Sequence, residues 1–255
     1  MVTLSPRVRS LGVGYGLGVA GAVLAIVLAF PAVLALDALG VASVSVRLAA
    51  LFVFGQYLPF MAFPLLYLRW RGFDWAGVRE YLGVRVPSLK EVGVVGAGFL
   101  AVFALTLGMT LLITEVLGLP TAENSTAQLA QQLPRIIPLL VVASIVVIGP
   151  CEETLFRGAV HNRLREAFDA PAAVVLSSAL FAAIHVTALT GSLGARLTTI
   201  VILFVPSLVF GTVYEYTDNL VVPALIHGLW DAFLFTAIYV TVVYGPGMSQ
   251  AVLPL

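Results

Sequence analysis

The chain alternates long apolar stretches with short polar breaks. Apolar runs fall at about 11–36, 48–68, 92–114, 136–160, 172–188, 197–214 and 220–243, each close to the ~20 residues that a helix needs to cross a bilayer. This pattern predicts an all-α, polytopic transmembrane helical bundle. It holds seven spans if the last run is continuous and eight if it breaks at Pro223. Arg7 and Arg9 precede the first run, but that run is too long for the ~7–15-residue core of a signal peptide and reads as a retained first helix. Between the second and third runs, Trp70, Trp75 and Tyr81 are mixed with charges, which suits a short interfacial helix lying on the cytoplasmic surface. The stretch 115–135 is rich in Gln, Thr and Pro and reads as a mobile external loop. No repeat and no soluble stretch of domain size is visible, so residues 1–255 read as a single integral membrane domain.

Composition narrows the function classes. Residues are 60% hydrophobic and 10% charged, where soluble domains carry about 25% charged residues. The net charge is zero and no basic tract is present, which argues against a nucleic-acid partner. Cys151 is the only cysteine, so neither an internal disulfide nor a multi-cysteine metal site can form. The loop charges set the orientation. Arg7, Arg9, Arg69, Arg71, Arg79, Arg85, Lys90, Arg163 and Arg165 fall on one side, and Arg47, Arg135 and Arg196 on the other. The positive-inside rule then places the N-terminus in the cytoplasm.

Three small motifs carry little weight. The Gly16–Gly21 stretch matches a dinucleotide fingerprint but lacks the preceding strand. Gly14 and Gly18 read instead as small residues for close helix contact. Asn124-Ser125-Thr126 fits a glycosylation acceptor by a three-residue pattern that chance often produces. Cys151, beside Pro150, reads as a small buried residue.

The chemistry lies in ionisable groups inside apolar runs, where each costs about 2.5–3.5 kcal/mol even on insertion scales. Glu152 and Glu153 are adjacent, and Arg157 follows. On a helix Glu153 and Arg157 share a face, while Glu152 points about 100° away. His185 ends Phe181-Ala182-Ala183-Ile184-His185, and His227 and Asp231 are again four apart. Counted along the helices from the loop charges, the three groups meet near mid-membrane, in a cavity open to the cytosol. His161, among Arg163, Arg165 and Glu166, reads as an interfacial charge. A general base, two imidazoles and a cation around a wet cavity suit hydrolysis of a carbonyl by an activated water. A metal version stands beside it, with His185, His227 and one glutamate around a divalent ion such as Zn2+. A proton-coupled transporter is the alternative, since buried Glu, Arg and His also build proton relays; it should show inverted repeats. A non-catalytic immunity or partner-binding protein on the same scaffold is a third reading.

The order EExxxR, FxxxH, Hxxx(N/D) over roughly residues 145–235 resembles the CAAX-protease and bacteriocin-processing (CPBP, or Abi) intramembrane endopeptidases. Glu152-Glu153-Thr154-Leu155-Phe156-Arg157-Gly158 is close to that family's usual first motif. The resemblance implies an intramembrane protease of a prokaryotic plasma membrane, acting on a peptide or lipidated protein substrate. In members that act on prenylated proteins, a C-terminal tripeptide is removed after a lipidated cysteine. It implies that Glu152, or its neighbour Glu153, and His185 activate the water. His227 and Asp231 would form the oxyanion or second-ligand side, and Arg157 an electrostatic support. Where the family often has Asn, this chain has Asp231, and an ionised carboxylate cannot donate to an oxyanion.

Overall fold

The computed structural model describes residues 4–245. Seven helices are long and apolar enough to cross a membrane: α1 (Pro6–Ala38), α2 (Val44–Trp70), α4 (Leu89–Val116), α6 (Pro134–Arg165), α7 (Ala170–Thr187), α8 (Leu193–Thr217) and α9 (Val221–Tyr244). Two short helices lie between them, α3 (Trp75–Tyr81) and α5 (Ser125–Gln132). The strands β1 (Glu123–Asn124) and β2 (Leu189–Thr190) form one small antiparallel pair. The chain is thus an all-α integral membrane bundle, with seven candidate spans among the described residues. α9 does not break at Pro223, because a proline in the first turn gives up an N–H that has no helical partner there.

Local chemistry explains several boundaries. Ser5, Ser88, Asp169 and Ser192 each cap a span by accepting a first-turn N–H. Asp74 caps α3, which buries Val78 and leaves Trp75 exposed, and Leu82 just past its end is buried as well. The 115–135 segment is folded rather than a loose loop. Asn124 caps α5 through Thr126 and Ala127, so its side chain serves the backbone. β1 pairs with β2, the Ser125 N–H donates to the Ala188 carbonyl, and α5 packs on α9. Polar composition suggested mobility, but these residues satisfy one another's backbone groups.

α6 is the central helix, lying against α1, α2, α7 and α9. Its partners approach closely where side chains are small. A Cβ on Gly18 would sit 2.5 Å from Leu180, and one on Gly21 2.6 Å from Leu155. The α6–α9 crossing is backbone against backbone. A Cβ on Gly149 would meet the Ala224 carbonyl oxygen at 2.6 Å, and one on Gly228 the Ser144 carbonyl oxygen at 2.6 Å. α6 also contains two wide turns with i→i+5 bonding, Ser144–Ile148 and Thr154–His161, a distortion that often accompanies functional sites.

Candidate functional site

The α6–α9 crossing brings Glu153 and His227 together. His227 directly precedes Gly228, and its Nδ1 lies 2.8 Å from Glu153 Oε1. The same oxygen accepts from Arg157 Nη1 at 2.9 Å, with both side chains fully buried. Arg157 Nη2 donates to the Ser207 carbonyl and hydroxyl oxygens at 2.7 and 2.6 Å. The Arg157 guanidinium lies between the Phe181 and Phe210 rings, 5.0 and 5.3 Å from their centroids. The His227 ring stacks on Phe210 at 4.9 Å. Phe181, the phenylalanine of the FxxxH motif, touches the cation and both imidazoles, its ring 4.6 Å from that of His185 and 5.6 Å from that of His227.

Glu152 faces the other way, as a residue 100° round the helix must. Its Oε2 lies 3.9 Å from His185 Nε2 and 3.9 Å from His227 Nε2. Asp231 Oδ2 lies 3.5 Å from His227 Nε2. The other Glu152 oxygen accepts from Gln56 Nε2 at 3.4 Å. His185 Nδ1 is 2.7 Å from the Phe181 carbonyl oxygen. A carbonyl can only accept, so Nδ1 carries a proton and Nε2 is the ring atom turned towards Glu152. Glu152 Oε2 and Gln56 Oε1 are buried without a hydrogen-bond partner. Exposure rises outwards, from 0% for the Glu153 side chain through 10% for Glu152 to 19% for His185 and 24% for Asp231.

The structure thus brings Glu152, Glu153, Arg157, His185, His227 and Asp231 to one place. Their spacing bears on what could sit among them. A water about 2.8 Å from both atoms of a pair is held at roughly 90° when that pair is 3.9 Å apart. A zinc ion at its usual ~2.1 Å would need roughly 140° across the same pair, far from the ~109° of a tetrahedral site. Among the described residues no group of three or more His, Cys, Asp or Glu side chains closes to metal-ligand spacing. In this arrangement the donors suit a water and do not fit tetrahedral zinc.

Two side chains sit where sequence reasoning did not put them. His161 is buried, not interfacial. Its Nε2 lies 2.7 Å from Glu215 Oε1 and its Nδ1 3.3 Å from the Ser177 hydroxyl. The neighbouring arginines suggested a surface, but the wide turns of α6 rotate His161 inwards and leave Arg165 outside to meet Glu215 at 2.7 Å. Gln56 was passed over within a span. A lone amide in the 48–68 apolar run was the available signal, for the same reason that singled out the glutamates. Cys151 is buried, as expected.

Residues 134–233 match the family model described as type II CAAX prenyl endopeptidase Rce1-like. The match overlaps the three motifs and bears out the resemblance to the CPBP family. No curated protein and no solved structure matches the chain significantly.

Proposed function

We propose, on the premise that residues 134–233 form an Rce1-like family domain, that this chain is an intramembrane endopeptidase. It hydrolyses a peptide bond of a membrane-associated protein substrate, with a lipidated, CAAX-like C-terminus as the leading class. The observation that carries this reading is the convergence of two imidazole Nε2 atoms on one unpartnered carboxylate oxygen of Glu152.

A water held by Glu152 Oε2, His185 Nε2 and His227 Nε2 has the two to four polar partners that a buried water needs. Glu152 takes one of its protons as the oxygen attacks the substrate carbonyl carbon. The C–N bond then breaks, and the leaving amine receives that proton directly or through His185. His227 has acceptors near both ring nitrogens, Glu153 at Nδ1 and Asp231 near Nε2. In its doubly protonated form it would turn an Nε2–H to the oxyanion. Asp231, ionised, orients that ring instead of donating. Arg157, wholly buried, acts through Glu153 and touches no substrate. The positive-inside rule, applied to the basic loops, supports a cytoplasmic N-terminus. Glu153 lies ten residues before Arg163, roughly 15 Å of helix from that surface, so the scissile bond must enter the bilayer to be cut.

The test is cleavage of fluorogenic peptides by purified protein in nanodiscs, with farnesylated and unmodified CAAX-like peptides compared. Glu152→Gln and His185→Ala should abolish turnover, and a chelator should leave it intact. Undiminished cleavage in both variants would overturn the reading. Chelator loss restored by Zn2+ would replace the glutamate-held water with a metal. Proton-linked flux without any cleavage would favour the transporter.

A further inference from the structure

A second charged cavity lies on the basic side of the bundle, away from the glutamates. It encloses about 470 Å³ between the start of α1, the end of α2 and the end of α6, with Pro6, Arg9, Tyr67, Arg71, Arg163 and Glu166 on its wall. Three guanidiniums from three separate elements therefore face one carboxylate, a surplus of two positive charges. Arg71 Nη1 meets Glu166 Oε1 at 2.6 Å and Arg163 meets Glu166 Oε2, so both oxygens of the acid are engaged. Among the described residues Arg9 has no carboxylate partner within ion-pair distance.

Arg163 is the buried part of the cavity wall. The residue is only 8% exposed and its Nε is buried with no hydrogen-bond partner. The Ser10 hydroxyl donates to its backbone carbonyl and ties α1 to α6 at this point. The α1 helix begins at Pro6, on the cavity wall, with no acidic residue in its first turn, so its positive end adds to the field. Opposite this charge the rim is greasy. Leu4 is 64% and Trp70 83% exposed, side chains of the kind that meet lipid at a membrane interface. Tyr81 stands beside the shared acid, its hydroxyl 3.5 Å from Glu166 Oε1. Burial pushes that phenol up to about 12, so it remains a neutral donor.

Planar forks with a positive surplus recognise phosphate, and a rim of exposed Trp and Leu beside them suits a phosphate that carries acyl chains. Basic pockets between helices on the cytoplasmic side bind anionic lipid head groups for this reason. We propose that this cavity binds the phosphate of an anionic phospholipid head group. The site is independent of the peptidase reading. Its link to that reading is α6, which carries Arg163 at one end and Glu152 and Glu153 within.

The experiment compares phosphatidylcholine nanodiscs with and without phosphatidylglycerol, reading the melting temperature and the lipid retained in native mass spectrometry. Phosphatidylglycerol should raise the melting temperature and remain bound. The Arg9→Gln/Arg71→Gln variant changes side chains at the cavity wall and spares buried Arg163; it should bind that lipid about tenfold or more weakly and lose the shift. Arg196→Gln, on the opposite face, should keep both. An equal shift from inorganic phosphate in phosphatidylcholine discs would overturn the lipid assignment in favour of a free anion. A phosphatidylglycerol effect unchanged in the double variant would overturn the site.

Discussion

Glu152 and Glu153 are neighbours in sequence and opposites in the structure. Glu153 is fully buried, and one of its oxygens is held by both Arg157 and His227 within 2.9 Å. Glu152 has its nearest polar contacts at 3.4 and 3.9 Å. The first carboxylate ties α6 to α9, and its partner Arg157 reaches on to α8. The second lies 3.9 Å from the Nε2 atoms of His185 and His227, too far for a direct hydrogen bond and close enough for one water to bridge. Short distances mark groups that position; unfilled distances mark groups that react. An unpartnered buried oxygen is common to both carboxylates; what sets Glu152 apart as the loose face of the pair is its partial exposure, 10% against 0%, and the two imidazole nitrogens at 3.9 Å from its free oxygen.

The largest expected effect comes from the loose face. Glu152→Gln keeps the shape and removes the base, so kcat should fall by about 10²- to 10⁴-fold with the melting temperature unmoved. Activity assayed beside thermal unfolding checks both halves. If the variant unfolds like a Glu153 variant, the division between the two carboxylates fails.

The tight face should respond in stability. Arg157→Met strands the Glu153 carboxylate without its cation, and breaking a buried pair in this way costs about 3–5 kcal/mol. Adding Glu153→Gln should recover much of that loss, because the uncompensated charge is gone. Denaturation of the single and double variants in detergent measures the recovery; a double variant no more stable than the single would show that the pair is not the source of the cost.

Gly228→Ala touches both faces. Its Cβ would lie 2.6 Å from the Ser144 carbonyl oxygen and 2.7 Å from Ile145 Cα, backbone atoms that cannot swing away. Overpacking of this kind costs about 1–3 kcal/mol. It also displaces His227, the next residue, from Glu153 and Glu152 together. Stability and turnover should therefore fall in step, unlike in the two preceding cases. A variant that loses one and keeps the other would separate the crossing from the site.

Much of this was legible before any coordinates. Length and hydropathy fix the spans, because a bilayer imposes one helix length on any sequence that crosses it. The six site residues stood out because charge in hydrocarbon is costly enough to need a reason. The i,i+4 rule placed Glu153 on Arg157 and sent Glu152 elsewhere. What could not be read was set by packing between distant segments. His161 lies inside because the wide turns of α6 alter its facing, and no periodicity count includes them. The 115–135 segment is ordered because β1 found β2, sixty-six residues further on. Phe210 and Ser207 hold Arg157 from α8, a helix that carries none of the three motifs. The arginines on the basic side were counted for orientation, and only the fold reveals that Arg9, Arg71 and Arg163 share a cavity.

The smallest expected effect is the one that sharpens the contrast most. Gln56 lies outside the matched residues 134–233, on α2. Its Nε2 reaches Glu152 Oε1 at 3.4 Å and its own Oε1 is unpartnered. The amide thus turns Glu152 so that the opposite oxygen faces the imidazoles. Gln56→Leu preserves bulk and removes that hydrogen bond to a charged group, worth about 1.5–3 kcal/mol; kcat should fall by about tenfold or more with KM and melting temperature held. Gln56→Glu sets a second carboxylate against Glu152 and should be worse than Leu, while Gln56→Asn, one methylene short, should recover little. If Leu at this position leaves kcat unchanged, Glu152 is oriented by the helix alone, and the freedom seen on its face belongs to the carboxylate rather than to the ring of groups around it.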